Sequence, residues 1–348
     1  MDFNLSKFTV CKKFALTISR GTTSQTTNIL IKIQQEQIEA IGEATPFSLS
    51  KENCQNTEQL IAEFDRILPI IANFHPLQRQ EILTVLEKER ISSPVKAAID
   101  MALYDWLGKK TGLPLWRLWG LNRDRIVPIS VTIGIDTPEK VKIRVQNWLE
   151  LVAPTILKVK LGSPAGIEAD RAIILAVKAV APDCDLTVDA NGGWNLKEAI
   201  AMSRWLADLN VKYLEQPLAV GKEAALAELS QQSPLPIFVD ESCLTSKDIP
   251  RLAKSIAGVN LKIMKAGGLT EIMRSIQVAK ACGLKVMFGC YSDSSLANTA
   301  MAHLSPLADY LDLDSHLNLT NDPFTGAILS KGHLLPNDLP GLGVRYSA

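Results

Sequence analysis

Two patterns of apolar and polar residues divide the chain. In the first third, three short β-rich runs separated by polar turns predict an antiparallel meander, at 8–17, 28–34 and 38–44. Three segments with helical spacing of apolar residues follow, at 57–72, 77–89 and 93–109. Ser93-Pro94 is a helix start signal and Gly112 a helix end signal for the last of them. Strands followed by helices predict an N-terminal α+β domain over residues 1–125.

From Val127 onward, short apolar runs alternate with segments of helical spacing. The apolar runs lie at 127–133, 155–160, 184–189, 211–215, 235–240, 258–263, 284–289 and 308–313. The helical segments lie at 137–151, 167–181, 195–209, 222–231, 245–256, 268–282 and 292–304. Runs that are apolar throughout, rather than alternating, are typical of parallel strands buried on both faces.

Eight such strands predict an α/β protein with a (β/α)8-type barrel over residues 126–319. With one helix missing, the barrel is of the (β/α)7β kind. A doubly wound open sheet is the alternative, but no glycine-rich phosphate loop follows an early strand. The Pro- and Gly-rich segment 320–348 is expected to return to the N-terminal domain and complete it.

The composition narrows the class of function. Lys+Arg and Asp+Glu both number 37 in a chain of 348 residues, so no net basic field is available for nucleic acid. The N-terminus lacks a signal-peptide core, and no apolar stretch approaches the roughly 18 residues that span a bilayer. The six cysteines are scattered without a C-x-x-C motif, as in reduced proteins. We expect a cytoplasmic protein that binds neither nucleic acid nor membranes.

Three of the apolar runs end on a carboxylate. Asp189, Glu215 and Asp240 are separated by 26 and 25 residues, one strand–helix unit each. Because the carboxyl ends of barrel strands meet at one face, these side chains are expected to converge. A buried carboxylate is costly unless a cation neutralises it. Three oxygen ligands without His or Cys suit a hard divalent ion such as Mg2+.

Lysines end the predicted strands on both sides of these carboxylates. Lys158 and Lys160 end the second strand, and Lys262 ends the sixth, nearly opposite in an eight-stranded ring. Removing a proton α to a carboxylate creates an enediolate, whose second negative charge a metal ion can offset. A lysine becomes a useful base if nearby Mg2+ and a second ammonium lower its pKa. Two opposed lysines would invert the carbon, whereas one acting alone would lead to elimination or cycloisomerisation.

Each residue also has a purely structural interpretation. An isolated V-D-A-N or V-D-E-S at a strand end is more often a helix N-cap, and Asp293 could cap a helix in the same way. Lys158 and Lys160, taken singly, are typical of the solvated end of an edge strand. Asp312 and Asp314 could share one solvated side of their strand. The ordered set of six polar strand ends favours the functional interpretation.

The sequence resembles the enolase superfamily, in its muconate-lactonising-enzyme subgroup, over essentially the whole chain. The motifs that carry the resemblance are K-V-K at 158–160, D-A-N at 189–191, E-Q-P at 215–217, D-E-S at 240–242 and K-I-M-K-A-G-G at 262–268. The resemblance implies an enolase-like barrel with a capping domain and one Mg2+ per subunit. It also implies that Lys160 and Lys262 are the acid/base pair and that the metal ligands are Asp189, Glu215 and Asp240.

The D-x-D motif at 312–314 resembles that of the dipeptide epimerases, where the pair holds the α-ammonium of the substrate. Muconate and succinylbenzoate carry no such cation. The resemblance thus implies inversion of the α-carbon of the C-terminal residue of a dipeptide. By this analogy, Lys160 removes the proton from the L-substrate and Lys262 returns it.

The remaining candidate residues surround these groups. Asn191, Glu241 and Lys265 are expected to orient the metal ligands or tune their charge. The residues expected to contact substrate are Asp312, Asp314, Lys158, Asp293 and Thr23. The G-C-Y-S-D-S segment at 289–294 resembles the family's G-C-x-x-E-S, with an aspartate in place of the glutamate.

Side-chain preference is expected to depend on two loops of the capping domain, at about 18–26 and 45–54. Epimerases of this type that prefer a glutamate side chain place an arginine shortly after the Arg-Gly of the first loop, whereas this chain continues Thr-Thr-Ser-Gln after Arg20-Gly21. An acidic side chain would lack a bidentate partner there. Phe47 and Leu49 add apolar surface. We expect dipeptides with neutral or hydrophobic side chains.

Two alternatives stay open from the sequence. The first is an o-succinylbenzoate synthase, an N-acylamino acid racemase or a cycloisomerase of the same subgroup, none of which needs an amine anchor. The second is a non-catalytic ligand-binding barrel that has kept the metal site, although binding alone has no use for two opposed bases. A homo-oligomer is compatible with the sequence, which does not fix the number of subunits.

Overall fold

The computed structural model describes residues 1–49 and 55–347. The expectation for the loop at 45–54 therefore lies partly outside the described residues.

The N-terminal sheet has three antiparallel strands in the order β1 (Asp2–Ile18), β2 (Gly21–Gln35) and β3 (Ile38–Ala44). The first two are longer than predicted. Residues 21–27 of β2 are polar and carry no apolar signal, and β1 already begins at Asp2, where Phe3 and Leu5 pair with β2. The register of the pair shifts between Cys11 and Leu16. Such a bulge bends the strand and increases its twist.

Four helices follow the sheet: α1 (Thr57–Ile71), α2 (Arg79–Lys88), α3 (Ser93–Thr111) and α4 (Leu115–Leu118). A capping box fixes the start of α1, because Asn56 accepts from the Gln59 N–H and the Gln59 side chain accepts in return. As predicted, Pro94 begins α3 and Gly112, at φ 70°, ends it. Fully buried side chains from the sheet and the helices, among them Ile31, Phe64 and Leu103, form the core of this domain.

Helix α3 lies so close to β3 that position 42 has no room for a side chain. A Cβ atom at Gly42 would lie 2.0 Å from the carbonyl oxygen of Ala98. We expect Gly42→Ala to lower the free energy of unfolding by about 3 kcal/mol, because the helix must move away from the sheet. Urea denaturation measures the loss. The comparison variant is Gly112→Ala, where no atom crowds the site and only the left-handed backbone opposes alanine, at about 1 kcal/mol; equal losses in the two variants would contradict the crowding argument.

Eight parallel strands form the barrel in chain order. They are β4 (Val131–Ile133), β5 (Ile156–Lys160), β6 (Asp185–Asp189), β7 (Leu214–Glu215), β8 (Ile237–Val239), β9 (Gly258–Leu261), β10 (Lys285–Gly289) and β11 (Tyr310–Asp312). A bridge between Ile129 and Leu311, with the Ser130 N–H donating to the Leu311 oxygen at 2.8 Å, closes the ring. The predicted parallel barrel is confirmed.

Seven helical connections join the eight strands. Their α-helices are α5 (Pro138–Val152), α6 (Ile167–Val180), α7 (Leu196–Asp208), α8 (Leu226–Gln232), α9 (Ile249–Leu252), α10 (Ile263–Ala266), α11 (Leu269–Ala281) and α12 (Ser295–Ala302). Within the described residues, only a 3-10 turn at Ser315–Asn318, and no α-helix, follows β11. The barrel is therefore of the predicted (β/α)7β kind.

Several elements are shorter than their apolar runs predicted. Only Leu214–Glu215 of the run 211–215 is strand, and only Ile249–Leu252 of the segment 245–256 is α-helix. The helix starts late because the Asp248 carboxylate accepts from the Leu244 and Thr245 N–H groups and folds the preceding residues into a turn. The short helix α10 was not predicted, since its four residues are too few to show a period.

After β11 the chain returns to the N-terminal sheet. Leu319 bridges to Lys12, and the Thr320 N–H donates to the Cys11 oxygen at 2.9 Å. The last strands form two small antiparallel pairs, β12 (Phe324–Thr325) with β15 (Arg345–Tyr346) and β13 (Ile328–Ser330) with β14 (His333–Leu335). The domain limits at residues 125 and 320 stay predictions.

None of the helices in the described part of the chain is long and apolar enough to cross a membrane.

Candidate active site

Three buried carboxylates converge at the carboxyl end of the barrel. Asp189 ends β6, Glu215 ends β7 and Asp240 follows β8, and none of them is exposed to solvent. One oxygen from each lies within 4.8 Å of the others. The spacing along the sequence thus brings the three groups together as expected.

The donor set fits a hard divalent cation such as Mg2+. Burial and the negative charge of Asp189 raise the pKa of Glu215 to about 7, which shows how costly three adjacent carboxylates are. Glu215 Oε2 and Asp240 Oδ2 are buried without a hydrogen bond of normal geometry, although lysine Nζ atoms lie 2.8 and 2.7 Å from them. Only oxygen donors are present, as Mg2+ prefers.

Two lysines lie at opposite ends of this carboxylate triad. Lys160 Nζ is 2.6 Å from Asp189 Oδ2, and Lys262 Nζ is 2.7 Å from Asp240 Oδ2. Lys160 ends β5, and Lys262 follows β9, so the three strands that carry the triad separate them. Both ammonium groups are nearly buried, at 6% and 5% residue exposure. The pair is therefore placed to approach one bound molecule from two sides.

The neighbours of Lys262 determine its charge. Burial alone would lower the pKa of Lys262, but the adjacent Asp240 carboxylate outweighs it and holds the pKa well above the usual value. The same ion pair, with the help of Lys265, holds the pKa of Asp240 well below its usual range despite burial. To act as a base, Lys262 needs a lowered pKa. A divalent cation bound to Asp240 would lower it by offsetting the negative charge of that carboxylate.

Lys158 is fully buried at the centre of the site and is not the solvated end of an edge strand. Its Nζ lies 2.6 Å from Asp312 Oδ2, 2.8 Å from Glu215 Oε2 and 3.6 Å from Asp189 Oδ2. Burial opposes the charge, yet these carboxylates hold the pKa of Lys158 well above its usual value. It links the triad to the D-x-D motif; its predicted contact with substrate stays a prediction.

The two carboxylates of the D-x-D motif are buried side by side but differ in their partners. Asp312 accepts from Lys158 and from the hydroxyls of Ser130 and Thr132, whereas Asp314 accepts from the Thr132 N–H at 2.7 Å. Burial and the charge of Asp312 raise the pKa of Asp314 to about 6. Among the described residues no cation lies within 4.0 Å of Asp314. A cationic group from outside would be its natural partner.

Of the three residues expected to orient the ligands, Lys265 and Asn191 contact the triad directly, and Glu241 is joined to it through Asn191. Lys265 Nζ donates to the Asp240 main-chain oxygen and to Oδ1, each at 2.6 Å. Asn191 Nδ2 lies 3.1 Å from Asp189 Oδ2 and 3.2 Å from Glu241 Oε1. Their role in orienting the metal ligands stays a prediction.

Arg20 is a site residue that the sequence did not identify. Its guanidinium donates to Glu241 Oε1 at 2.7 Å and to the Asn191 main-chain oxygen at 3.0 Å. It thereby connects the β1–β2 turn of the capping domain to groups beside the triad. The Arg-Gly pair was visible in the sequence, but no spacing relates residue 20 to residue 241.

Asp293 is buried beside the mouth of the barrel but does not cap α12. Its Oδ2 accepts from the Tyr291 N–H at 3.1 Å, whereas Ser294 is the N-cap and accepts from the Leu296 N–H. Glu43 of β3 was also not identified from the sequence. It accepts a hydrogen bond from the Ser294 hydroxyl at 2.5 Å and so joins the two domains. Burial and the charge of Asp293 raise the pKa of Glu43 to about 7.

A cavity of about 300 Å³ lies between the capping domain and the barrel. Both Lys160 and Lys262 line it, as do Thr23 and Phe47 from the capping domain. The Phe47 ring stacks on Tyr291 at 4.5 Å, and Tyr291 covers the Lys262 ammonium at 4.4 Å. Leu49, which was expected beside Phe47, instead lines a second cavity of about 500 Å³ near Trp194.

Comparisons with known proteins agree with this architecture. Residues 5–120 match the mandelate racemase / muconate lactonizing enzyme N-terminal domain, and residues 141–348 match the enolase C-terminal domain-like family. A hydrophobic dipeptide epimerase of Flavobacteria bacterium (strain MS024-2A) is 41% identical over 99% of this chain and 97% of its own. One from Roseobacter litoralis is 43% identical over 95% of each.

A solved structure extends the likeness to three dimensions. The dipeptide epimerase from Cytophaga hutchinsonii, complexed with Mg and the dipeptide D-Ala-L-Val, superposes with a TM-score of 0.93 at 27% identity. The match covers 99% of this chain and 95% of that one.

Proposed function

The chain belongs to the mandelate racemase / muconate lactonizing enzyme family of the enolase superfamily, and from that premise we propose that it is a Mg2+-dependent dipeptide epimerase. The reaction converts L-Xaa-L-Yaa to L-Xaa-D-Yaa by inverting the α-carbon of the C-terminal residue. One observation carries the proposal. Two buried lysines stand at opposite ends of a carboxylate triad, beside an aspartate that has no cation within 4.0 Å among the described residues.

In this proposal the two lysines work on opposite faces of the same carbon. Lys160 takes the α-proton of the L-epimer, and Lys262 donates a proton from the other face; the reverse reaction exchanges their roles. Asp189, Glu215 and Asp240 would hold the metal. When bound there, Mg2+ supplies positive charge that offsets the negative charge gained by the substrate carboxylate.

The amino end of the substrate is assigned to the D-x-D motif. Asp312 is already paired with Lys158, so Asp314 is the carboxylate that can form an ion pair with an incoming ammonium. An α-ammonium fits a dipeptide, whereas an N-acylated amino acid or succinylbenzoate carries none. This distinction favours a dipeptide epimerase over the other activities of the subgroup.

The C-terminal side chain is proposed to be neutral or hydrophobic. Leu16, Ile18 and Phe47 of the capping domain line the cavity, and the Arg20 guanidinium is occupied by Glu241. The two relatives at 41% and 43% identity are named hydrophobic dipeptide epimerases.

A cytoplasmic location and a homo-oligomeric state stay predictions. The first is supported by the free thiols of the five described cysteines, Cys11, Cys184, Cys243, Cys282 and Cys290.

The test is a dipeptide library incubated with the enzyme and Mg2+ in deuterated water. Each inversion replaces the α-hydrogen by deuterium, so substrates gain one mass unit and chiral chromatography shows the new epimer. Mass gain with L-Leu-L-Leu and similar dipeptides is expected. If no dipeptide exchanges its hydrogen, the non-catalytic alternative is favoured and the proposal fails.

Replacing the amine anchor should separate the activities of the subgroup. We expect Asp314→Asn to lower kcat/KM for a dipeptide by about 100-fold, because a buried partner of the substrate ammonium loses its charge. Steady-state kinetics of α-hydrogen exchange measures the loss, and Asp183→Asn, at an exposed carboxylate, is the control. If the variant instead keeps its activity, Asp314 does not anchor the ammonium, and the argument that favours a dipeptide over an N-acylated substrate is lost.

A further inference from the structure

Lys12 of β1 is a cation in the cavity wall that the proposed reaction does not use. Its side chain lines the catalytic cavity together with Leu16 and Ile18 of the same strand. Two contacts with the C-terminal segment hold the backbone at this point, because Lys12 bridges to Leu319 and the neighbouring Cys11 N–H donates to Asn321 at 2.7 Å. These contacts fix the part of β1 from which Lys12 lines the cavity.

Lys12 differs from the other lysines of the site in having no partner. The ammonium groups of Lys158, Lys160, Lys262 and Lys265 each lie 2.6 to 2.7 Å from a carboxylate oxygen. For Lys12 no carboxylate lies within 4.0 Å and no hydrogen bond is formed, among the residues that the structure describes. Burial lowers the pKa of Lys12, opposed by the nearby carboxylates of Asp314 and Asp293. An unpaired ammonium that is mostly withdrawn from water favours an incoming acceptor.

The neighbours of Lys12 locate it along a bound dipeptide. Cys290 lines the same cavity as Lys12, and its sulfur lies 3.9 Å from Asp314 Oδ1, the proposed anchor for the α-ammonium. Lys12 therefore belongs to the end of the cavity that would hold the N-terminal residue, while Lys160 and Lys262 flank the C-terminal α-carbon. The side chain of the N-terminal residue is the variable group closest to this end.

The local charge shows which side chains this end accepts. The carboxylates of Asp314 and Asp293 are close enough for their negative charge to favour the protonated form of Lys12, and the substrate adds its α-ammonium. Two carboxylates at most balance the two ammonium groups, so this end of the cavity has no negative charge left over for a third cation. A basic side chain therefore adds repulsion in a buried site, whereas an acidic one gains an ammonium partner.

We propose that Lys12 selects the N-terminal residue of the substrate, favouring acidic and hydrogen-bond-accepting side chains over basic ones. The inference rests on the proposed dipeptide epimerase activity and adds a second specificity to it. The C-terminal position is apolar by its lining, and the N-terminal position is chosen by charge.

The experiment compares L-Glu-L-Leu, L-Gln-L-Leu and L-Lys-L-Leu as substrates of the Mg2+-loaded enzyme. The wild-type kcat/KM is expected to be at least about tenfold higher for the glutamyl than for the lysyl dipeptide, with the nearly isosteric glutaminyl dipeptide between them. Lys12→Met should reduce this ratio about tenfold, Lys12→Glu should reverse it, and Lys12→Arg should keep it. Lys13→Met, at the neighbouring exposed lysine, should leave the ratio unchanged.

The outcomes separate the two proposals. If L-Leu-L-Leu is epimerised but the wild-type enzyme treats the glutamyl and lysyl dipeptides alike, the role of Lys12 is refuted while the proposed function stands. A ratio that changes less than about twofold in both Lys12→Met and Lys12→Glu refutes it as well. If no dipeptide exchanges its α-hydrogen, the proposed function fails and this inference falls with it. Because the wild-type comparison alone can refute the role, a variant that does not fold leaves the test intact.

Discussion

Replacing either Lys160 or Lys262 with alanine is expected to abolish inversion while one epimer continues to exchange its α-hydrogen. Inversion needs a base on one face of the carbon and an acid on the other, so losing either lysine should slow it by about 10³-fold or more. The remaining lysine still reaches the epimer whose hydrogen faces it. Lys160→Ala should therefore exchange only the D-epimer, and Lys262→Ala only the L-epimer. Chiral chromatography measures inversion, and mass spectrometry in deuterated water measures exchange.

The Mg2+ affinity of the same two variants is an independent measurement. Each lysine pairs with a triad carboxylate, at 2.6 Å for Lys160 and 2.7 Å for Lys262, and so competes with a metal ion for that oxygen. The affinity for Mg2+ should then stay equal or rise in both variants, which distinguishes lost proton transfer from a damaged site. Lys197→Ala, at an exposed lysine on α7, is the control. Continued inversion by Lys160→Ala would remove that lysine from the mechanism.

The fold was largely predictable because its signals are local. Eight fully apolar runs separated by helical segments indicate a parallel barrel directly, and each run contains an observed strand. The ends of elements were less predictable, because side chains that fold a turn compete with helix formation. Asp248 delays α9 in this way. Likewise, residues 21–27 of β2 are polar and pair with β1 without any apolar signal.

The centre of the site was predictable for the same reason, and its periphery was not. The proposed metal ligands and catalytic lysines lie at the ends of consecutive strands, so the barrel topology alone brings them together. Arg20, Glu43 and Lys12 belong to the capping domain, and their positions depend on how that domain packs on the barrel. The sequence also left Lys158 with two interpretations, and its burial among three carboxylates decides against the solvated one.

The capping domain holds the site at two points. Arg20 reaches Glu241 and the main chain of Asn191, beside the triad, and Glu43 reaches Ser294 at the start of α12. Both contacts involve charged groups that are wholly or mostly buried, where an ion pair or a charged hydrogen bond is directional. The wall that carries Lys12 and Phe47 is thereby fixed relative to the lysines. The proposed substrate selection and the proposed proton transfer would thus depend on the same interface.

Removing one carboxylate from the triad should abolish both metal binding and activity. Asp189→Asn keeps the shape of the side chain but leaves two charged ligands, so we expect the affinity for Mg2+ to fall by about 100-fold or more. Titration calorimetry measures the affinity directly. A second measure is thermal stability, because Mg2+ at 100 times its dissociation constant should stabilise the wild-type fold by about 2.7 kcal/mol. This shift should disappear in the variant, and treatment of the wild type with a chelator should stop turnover until Mg2+ is restored.

The control for this variant lies on the same strand. Asp185 begins β6 at the opposite end of the barrel, where it forms an exposed ion pair with Lys212 at 3.0 Å. Asp185→Asn changes the same number of charges on the same strand, and exposed pairs contribute at most about 1 kcal/mol. It should bind Mg2+ as the wild type does. If Asp189→Asn retains the Mg2+-dependent gain in stability, the cation is bound elsewhere. The triad then does not hold the ion that makes the α-proton of the substrate acidic.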